Sequence, residues 1–144
     1  MRDQTSLKIY KIFSNKKISE IHSHYSTVGH FVVFLNPSFD APLKFMEEAF
    51  ERSENYKKTR FKERSSFFMC LISGESKLDR AIMKVGFQPD DHSSVMVTDS
   101  TEIIEDMEKN GITFKEYATH HKDEKKLYGD MTLVELELIR SDDQ

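Results

Sequence analysis

The densest group of side chains able to do chemistry in this sequence is a run of cations. Five positive residues lie within eight positions, and two aromatic residues, Tyr56 and Phe61, lie beside them. Clustered cations displace counterions from nucleic acid, and aromatic rings can stack on bases. The run indicates a phosphate-binding patch, although it is equally typical of a solvated loop, which the presence of Glu63 favours. The five cations are Lys57, Lys58, Arg60, Lys62 and Arg64.

No set of residues in the sequence indicates catalysis, a metal or a cofactor. Six histidines are present, and His120 and His121 are adjacent, but their spacing supplies neither HExxH nor a Cys/His zinc pattern. The turn from Gly74 to Lys77 lacks the GxxxxGK spacing of a phosphate-binding P-loop. The serine pairs Ser65-Ser66 and Ser93-Ser94 do not lie in a nucleophile elbow. We therefore expect a protein that is not an enzyme and that holds no metal and no cofactor.

The composition is that of a globular protein rather than a disordered or membrane-spanning one. The chain has 144 residues, of which 38% are hydrophobic and 32% charged, enough for one domain with its own core. A formal net charge of −4 argues against polyanion binding over the whole surface. The single cysteine, Cys70, cannot form an internal disulfide, which suits a reducing compartment. No stretch resembles a signal peptide or a membrane span, so we expect a cytoplasmic protein.

Runs of β-branched, aromatic and other apolar residues predict the strands. Residues 31–35, FVVFL, are apolar on both faces, as in a central strand covered from two sides. Asn36-Pro37 ends this strand, because proline has no N–H to donate to the sheet. Residues 66–72, SFFMCLI, predict a second buried strand of the same kind. The predicted strands are 7–13, 31–35, 66–72 and 94–98, with a further candidate at 112–117.

Apolar side chains at helical spacing predict the helices between these strands. The third of them begins at a capping-box spacing from Ser76 to Asp79, and Gly86 is expected to end it as a left-handed C-cap. The predicted helices are 18–29, 39–56, 78–85 and 99–110.

The last segment is ambiguous from its pattern. Residues 127–138 have apolar side chains at helical spacing, while residues 134–138 alternate apolar and acidic positions as a strand would. The order of strands and helices as a whole predicts an α/β (α+β) fold. We expect a single domain over residues 1–144, with a central mixed β-sheet flanked by helices.

Several of these features together resemble a known family. The block LNPSFDAPLKFMEEAF, the basic run after it and GESKLDRAIMKVGFQPDD resemble the kinase-binding subunit of the KEOPS/EKC complex, the TPRKB family. Asn36-Pro37 matches the Asn-Pro that follows an apolar strand in that family. Lys77 departs from the family, which has Gln there, and an acidic residue often found in the preceding strand is absent. The glycine-to-glycine spacing of the family is matched by Gly74, Leu78, Ala81, Ile82 and Gly86.

The resemblance covers residues 31–98 well and the C-terminal segment loosely, and because the chain is shorter than the human relative we expect an archaeal member. It implies a non-enzymatic subunit that binds the small atypical kinase/ATPase of the complex and supports its activity. Association with the other KEOPS subunits would be indirect. In archaea such subunits also bind tRNA, including its 3′ acceptor end. The complex installs threonylcarbamoyl on the adenosine next to the anticodon.

The resemblance implies that the five cations of the basic run contact tRNA. The C-terminal segment becomes the expected kinase interface, because apolar helix faces commonly meet partner proteins, although the same residues can equally belong to the core. The expected kinase-interface residues are Leu127, Met131, Leu133 and Leu136.

Two rival functions belong to different classes. A small acyl- or methyltransferase fragment would need a glycine-rich cofactor loop, which the sequence lacks. A small-molecule-binding regulatory domain that dimerises through its sheet would show a ligand-sized pocket at the sheet edge and no basic patch around Arg60.

Overall fold

The computed structural model describes residues 7–26 and 29–142, with side chains as far as Ile139. Within these residues, six α-helices and a four-stranded sheet confirm the α+β class. The chain separates into two compact units, a division that the sequence pattern does not show. The first unit combines Met1–Phe39 with Phe87–Ala118, and the second combines Asp40–Gly86 with Thr119–Gln144.

The sheet belongs to the first unit and is antiparallel throughout. Its strands lie in the order β2-β3-β1-β4, and each neighbouring pair runs antiparallel. The expectation of a mixed sheet is therefore wrong. Alternation of strands and helices sets their order along the chain but does not set the direction in which strands pair. The strands are β1 Lys8–Phe13, β2 Val32–Leu35, β3 Ser93–Thr98 and β4 Thr113–Glu116.

Two helices of the first unit share an apolar cluster with the sheet. Helix α1 spans Ile18–Tyr25 and helix α5 spans Thr101–Lys109. The Ser100 hydroxyl caps α5 by accepting from the backbone N–H of Ile103 at 3.2 Å. The buried cluster includes Ile12, Ile18, Ile21, Phe34, Met96, Ile103 and Met107.

The second unit is helical. Helix α3 has buried residues on every side, among them Phe67, Phe68 and Leu71, and it packs against the other helices of the unit. Helix α6 settles the ambiguity of the C-terminal segment in favour of a helix, with Val134 and Leu138 buried. The elements are α2 Leu43–Arg52, a 3₁₀ helix Ser53–Lys58, α3 Arg64–Ser73, α4 Leu78–Val85 and α6 Lys125–Asp142.

The predicted strand at residues 66–72 is wrong, because this segment is the body of α3. A helix that is buried all round shows no 3.6-residue periodicity, and its apolar run is indistinguishable from that of a central strand. The sequence does mark the end of α3 with a glycine. Gly74 has a φ of +73° and caps α3 in the left-handed conformation that glycine adopts without steric cost.

The predicted termini of α4 are also corrected. No side chain caps its start, where Lys77 is the N-cap residue, so the capping box at Ser76 is absent. Gly86 has a φ of −79° and is extended rather than left-handed. A Cβ at Gly86 would lie 2.6 Å from the Ile82 carbonyl oxygen, so close approach of backbone explains the glycine. None of the helices in the described part of the chain combines the length and apolar character needed to cross a bilayer.

A candidate nucleic-acid interface

The basic segment, residues 57–64, connects the 3₁₀ helix to α3 and overlaps the end of the first and the start of the second. It begins in the last turn of the 3₁₀ helix and ends at the first residue of α3. Four of the five cations are exposed, namely Lys57, Lys58, Arg60 and Lys62. Their charge is therefore available to an anionic ligand, while Arg64 is partly buried.

Thr59 fixes the turn that separates the two lysines from Arg60. Its side chain is 5% exposed, and its hydroxyl donates to the Tyr56 carbonyl at 2.6 Å and accepts from the Phe61 N–H at 3.0 Å. The Thr59 N–H also donates to the Tyr56 carbonyl, at 2.9 Å. The cations consequently project from an ordered turn rather than from a free loop.

Arg64 fixes the other end of the basic segment. Its Nη2 donates to the Phe50 carbonyl at 2.6 Å, and its Nε donates to the Ser53 hydroxyl at 2.8 Å. The Ser53 hydroxyl is buried and itself donates to the Phe50 carbonyl at 2.6 Å. The Arg64 guanidinium is therefore bound inside the second unit, and it joins the end of α2 to the start of α3.

The two aromatic residues beside the cations, Tyr56 and Phe61, are half-buried. Tyr56 is in the 3₁₀ helix, and the Phe61 ring lies 6.4 Å from the ring of Phe67 at an angle of 32°. Phe61 thus packs partly into the second unit, and both residues keep part of their surface exposed, which stacking on a base would require.

The four expected kinase-interface residues separate into different environments on α6. Met131 is fully buried, so its assignment to an interface is wrong and it belongs to the core of the second unit. Leu127 is half-buried. Leu133 and Leu136 are 67% and 50% exposed, and their spacing of three residues puts them on one face of the helix.

Hydrogen bonds and a ring contact with α2 determine which side of α6 faces that helix. Arg52 Nη1 donates to the Thr132 hydroxyl at 2.8 Å and to Glu135 Oε1 at 3.2 Å, and its Nε donates to Glu48 at 2.8 Å. The Tyr128 ring meets the Phe45 ring edge-on at 5.6 Å. These contacts hold one side of α6 against α2.

Sequence reasoning missed two features of this unit. On α4, Ile82 and Met83 are 46% and 80% exposed, although Ile82 lies on the predicted apolar face. Before α6, the Asp40 carboxylate accepts from the Thr119 hydroxyl and from the His120 N–H, and the hydroxyl bond holds the pKa of Asp40 below its usual range. No sequence pattern predicts these two hydrogen bonds, because Asp40 is far from Thr119 and His120 along the chain.

The structure also shows whether possible metal ligands are grouped and where the single thiol lies. In the described part of the chain, no three His, Cys, Asp or Glu side chains are grouped as a metal site would require. Cys70 is buried in α3, and burial, with a smaller contribution from Glu75, raises the pKa of its thiol to about 12.

Comparison with known proteins adds no family to these observations. No family model matches the chain, and no curated protein is similar to it. Function is therefore inferred from the residues of this chain.

Proposed function

We propose that this protein is a non-catalytic, RNA-binding subunit of a KEOPS-type complex. In this role it binds the small atypical kinase/ATPase subunit and the 3′ acceptor end of tRNA, and it supports threonylcarbamoyladenosine modification. The observation that carries the proposal is the basic segment, where four exposed cations project from a turn fixed by Thr59 and Arg64. The residues that resemble the family, from Asn36-Pro37 to Gly86, surround this segment in the chain.

The charge distribution supports local rather than general binding of RNA. The whole chain has a formal charge of −4, yet residues 57–64 contain five cations and the single acidic residue Glu63. Each phosphate that an exposed Lys or Arg neutralises releases counterions, and this release gives the binding free energy a strong salt dependence. A tRNA end held by this segment would be repelled by acidic surface elsewhere.

The exposed face of α6 supports the partner part of the proposal. Leu133 and Leu136 expose apolar surface to water on one face of α6, and burial of such surface against a partner protein is favourable. The buried Cys70 thiol suits the cytoplasm, which is where this proposal locates the protein.

Charge reversal tests the tRNA part. The double variant Arg60→Glu with Lys62→Glu should bind tRNA more weakly by about tenfold or more, since two phosphate contacts become repulsive. The matched control is Lys44→Glu with Lys77→Glu, two exposed lysines of the same unit outside the basic segment. Equal affinity of both double variants for tRNA would reject the basic segment as the binding site.

A pull-down with the kinase subunit tests the partner part. Leu133→Glu with Leu136→Glu should abolish capture, because two charges would be forced into a desolvated contact. Met83→Glu is the matched control, since Met83 is the exposed methionine on α4. Full capture of the α6 variant rejects the site, and loss of capture only in Met83→Glu moves it to α4.

The small-molecule-binding regulatory domain that dimerises through its sheet is favoured by one observation. The first unit has a cavity lined by α1 and by the residues that flank β1 and β4. Such a domain would pair two copies along a sheet edge, and β4 is an edge strand. Sedimentation equilibrium of the purified chain tests it, because a monomer at all concentrations would exclude pairing through the sheet.

A further inference from the structure

The cavity in the first unit has an apolar floor. It has a volume of about 220 Å³, and Ile21 of α1 and Ile112 before β4 contribute buried side chains to it. Tyr25, which is 3% exposed, completes the floor. These three residues come from two separate segments of the chain, so the floor exists only in the folded unit.

A hydrogen-bonded network fixes the Tyr25 side of the cavity. The Tyr25 hydroxyl donates to Asp106 Oδ2 at 2.6 Å, and Asn110 Nδ2 donates to the Asp106 backbone carbonyl at 2.8 Å. Burial and the Asp106 carboxylate raise the pKa of Tyr25, so the phenol remains a donor. The Tyr25 side of the floor is therefore formed before any ligand enters, which lowers the conformational cost of binding.

The rim of the cavity has one lysine and one carboxylate, and His24 also lines it, with its ring edge-on to the Tyr25 ring at 4.7 Å. Lys16, in the turn after β1, and Glu20, in the first turn of α1, both line it and both are exposed. Within the described part of the chain, neither side chain belongs to an ion pair, whereas the adjacent Lys17 pairs with Asp90 at 3.1 Å. The rim thus offers a positive and a negative partner above an apolar floor.

We infer that this cavity binds a free amino acid with an apolar side chain. The ligand carboxylate would pair with Lys16, its ammonium with Glu20, and its side chain would pack on Ile21, Tyr25 and Ile112. A phosphate ester suits the site poorly, because the carboxylate of Glu20 lines the same cavity as the single lysine. This inference does not rest on the RNA-binding proposal, since the cavity residues all belong to the first unit, and it names a ligand class for the small-molecule-binding alternative.

The volume supports a ligand of this size. Pockets for drug-sized molecules measure about 300–1,000 Å³, and a dry cavity of about 150 Å³ accepts benzene. At about 220 Å³ the cavity lies between these limits, which suits a molecule of roughly ten heavy atoms such as leucine. A ligand that small is expected to bind at about millimolar concentration.

Amide chemical shifts of the full chain, titrated with L-leucine, test the inference. We expect shifts at Ile21, Tyr25 and Ile112 that saturate. The analogues 4-methylpentanoate, which lacks the ammonium, and isoamylamine, which lacks the carboxylate, should each bind about tenfold more weakly. Absence of saturable shifts with L-leucine, or equal affinity for all three probes, would overturn the inference.

Matched variants locate the site. Lys16→Ala and Glu20→Ala should each weaken L-leucine binding by about tenfold, and Ile112→Phe should abolish it by filling the cavity. Lys17→Ala, which changes the neighbouring lysine, should bind as the unmodified protein does. Unchanged amide shifts at a distance from the cavity show that each variant is folded. Equal weakening by Lys16→Ala and Lys17→Ala would reduce the effect to general charge and reject the site.

Discussion

The guanidinium of Arg64 lies 3.8 Å from the centroid of the Phe50 ring, and its Nη2 donates to the carbonyl of the same residue. Arg64, at the start of α3, thus contacts the last turn of α2 through both the ring and the backbone of Phe50. Arg64 serves to position the basic segment, and the other four cations remain available to a ligand.

Replacement of Arg64 should destabilise the fold. We expect Arg64→Ala to lower the free energy of unfolding by about 2 kcal/mol, because it removes two hydrogen bonds and a cation–π contact. Arg60→Ala, at an exposed position of the same segment, should change it by less than about 0.5 kcal/mol. Urea denaturation followed by circular dichroism measures both. Arg64→Lys should recover little of the loss, since an ammonium cannot reproduce the planar contacts, and full recovery would contradict the positioning role.

The two kinds of α6 residue should respond differently to truncation. Met131→Ala should lower the free energy of unfolding by about 3 kcal/mol, because it leaves a cavity in a packed core. Leu136→Ala, at a half-exposed position, should change it by about 0.5 kcal/mol or less. Thermal unfolding of the two variants gives the comparison. Similar losses would show that Leu136 is also part of the core.

The hydrogen bond from Thr119 to Asp40 should be visible in a pH titration. This bond lowers the pKa of Asp40 from its ordinary value of 3.8. Because the folded pKa is the lower one, the contact stabilises the fold above the unfolded pKa, and this stabilisation is lost as the pH falls through the folded pKa. Carboxyl carbon shifts should show a pKa below 3.8 for Asp40, and a higher one in Thr119→Val. An unchanged value in the variant would remove Thr119 as the cause.

Cys70 should be inert in the folded protein. Burial in α3 raises the pKa of its thiol to about 12, so almost no thiolate exists at neutral pH, and reagents cannot reach the sulfur. A chromogenic disulfide reagent at about pH 8 should react with no thiol in buffer and with one thiol in denaturant. Fast reaction in buffer would mean that α3 opens locally or is not packed as described.

The elements that sequence predicted correctly are amphipathic helices and short apolar strands. Helix α1 shows its helical periodicity because water covers one side of it, and the fully buried strand β2 was predicted from a short apolar run that Asn36-Pro37 ends. Helix α3 has no wet face, so its apolar run gave the wrong element. The direction of strand pairing has no local signal either, because it depends on contacts between distant residues.

The candidate site was predictable in composition but not in geometry. Clustered charge identified the basic segment, yet nothing in the sequence distinguishes Arg64 from Arg60. Their difference arises from the Phe50 carbonyl at the end of α2 and the Ser53 hydroxyl at the start of the 3₁₀ helix, both of which accept from Arg64. In the same way, Met131 and Leu133 look alike in sequence, and only the rotation of α6 separates the buried residue from the exposed one.

The salt dependence of tRNA binding tests the central claim most directly. The variant with alanine at Lys57, Lys58, Arg60 and Lys62 is compared with one that has alanine at four exposed lysines elsewhere: Lys44, Lys77, Lys109 and Lys115. Both lose the same formal charge, so their difference isolates the position of the charge. The account predicts that the slope of log Kd against log salt becomes shallower by about 3 in the first variant and is retained in the second. Equal slopes in the two variants and the unmodified protein would contradict it.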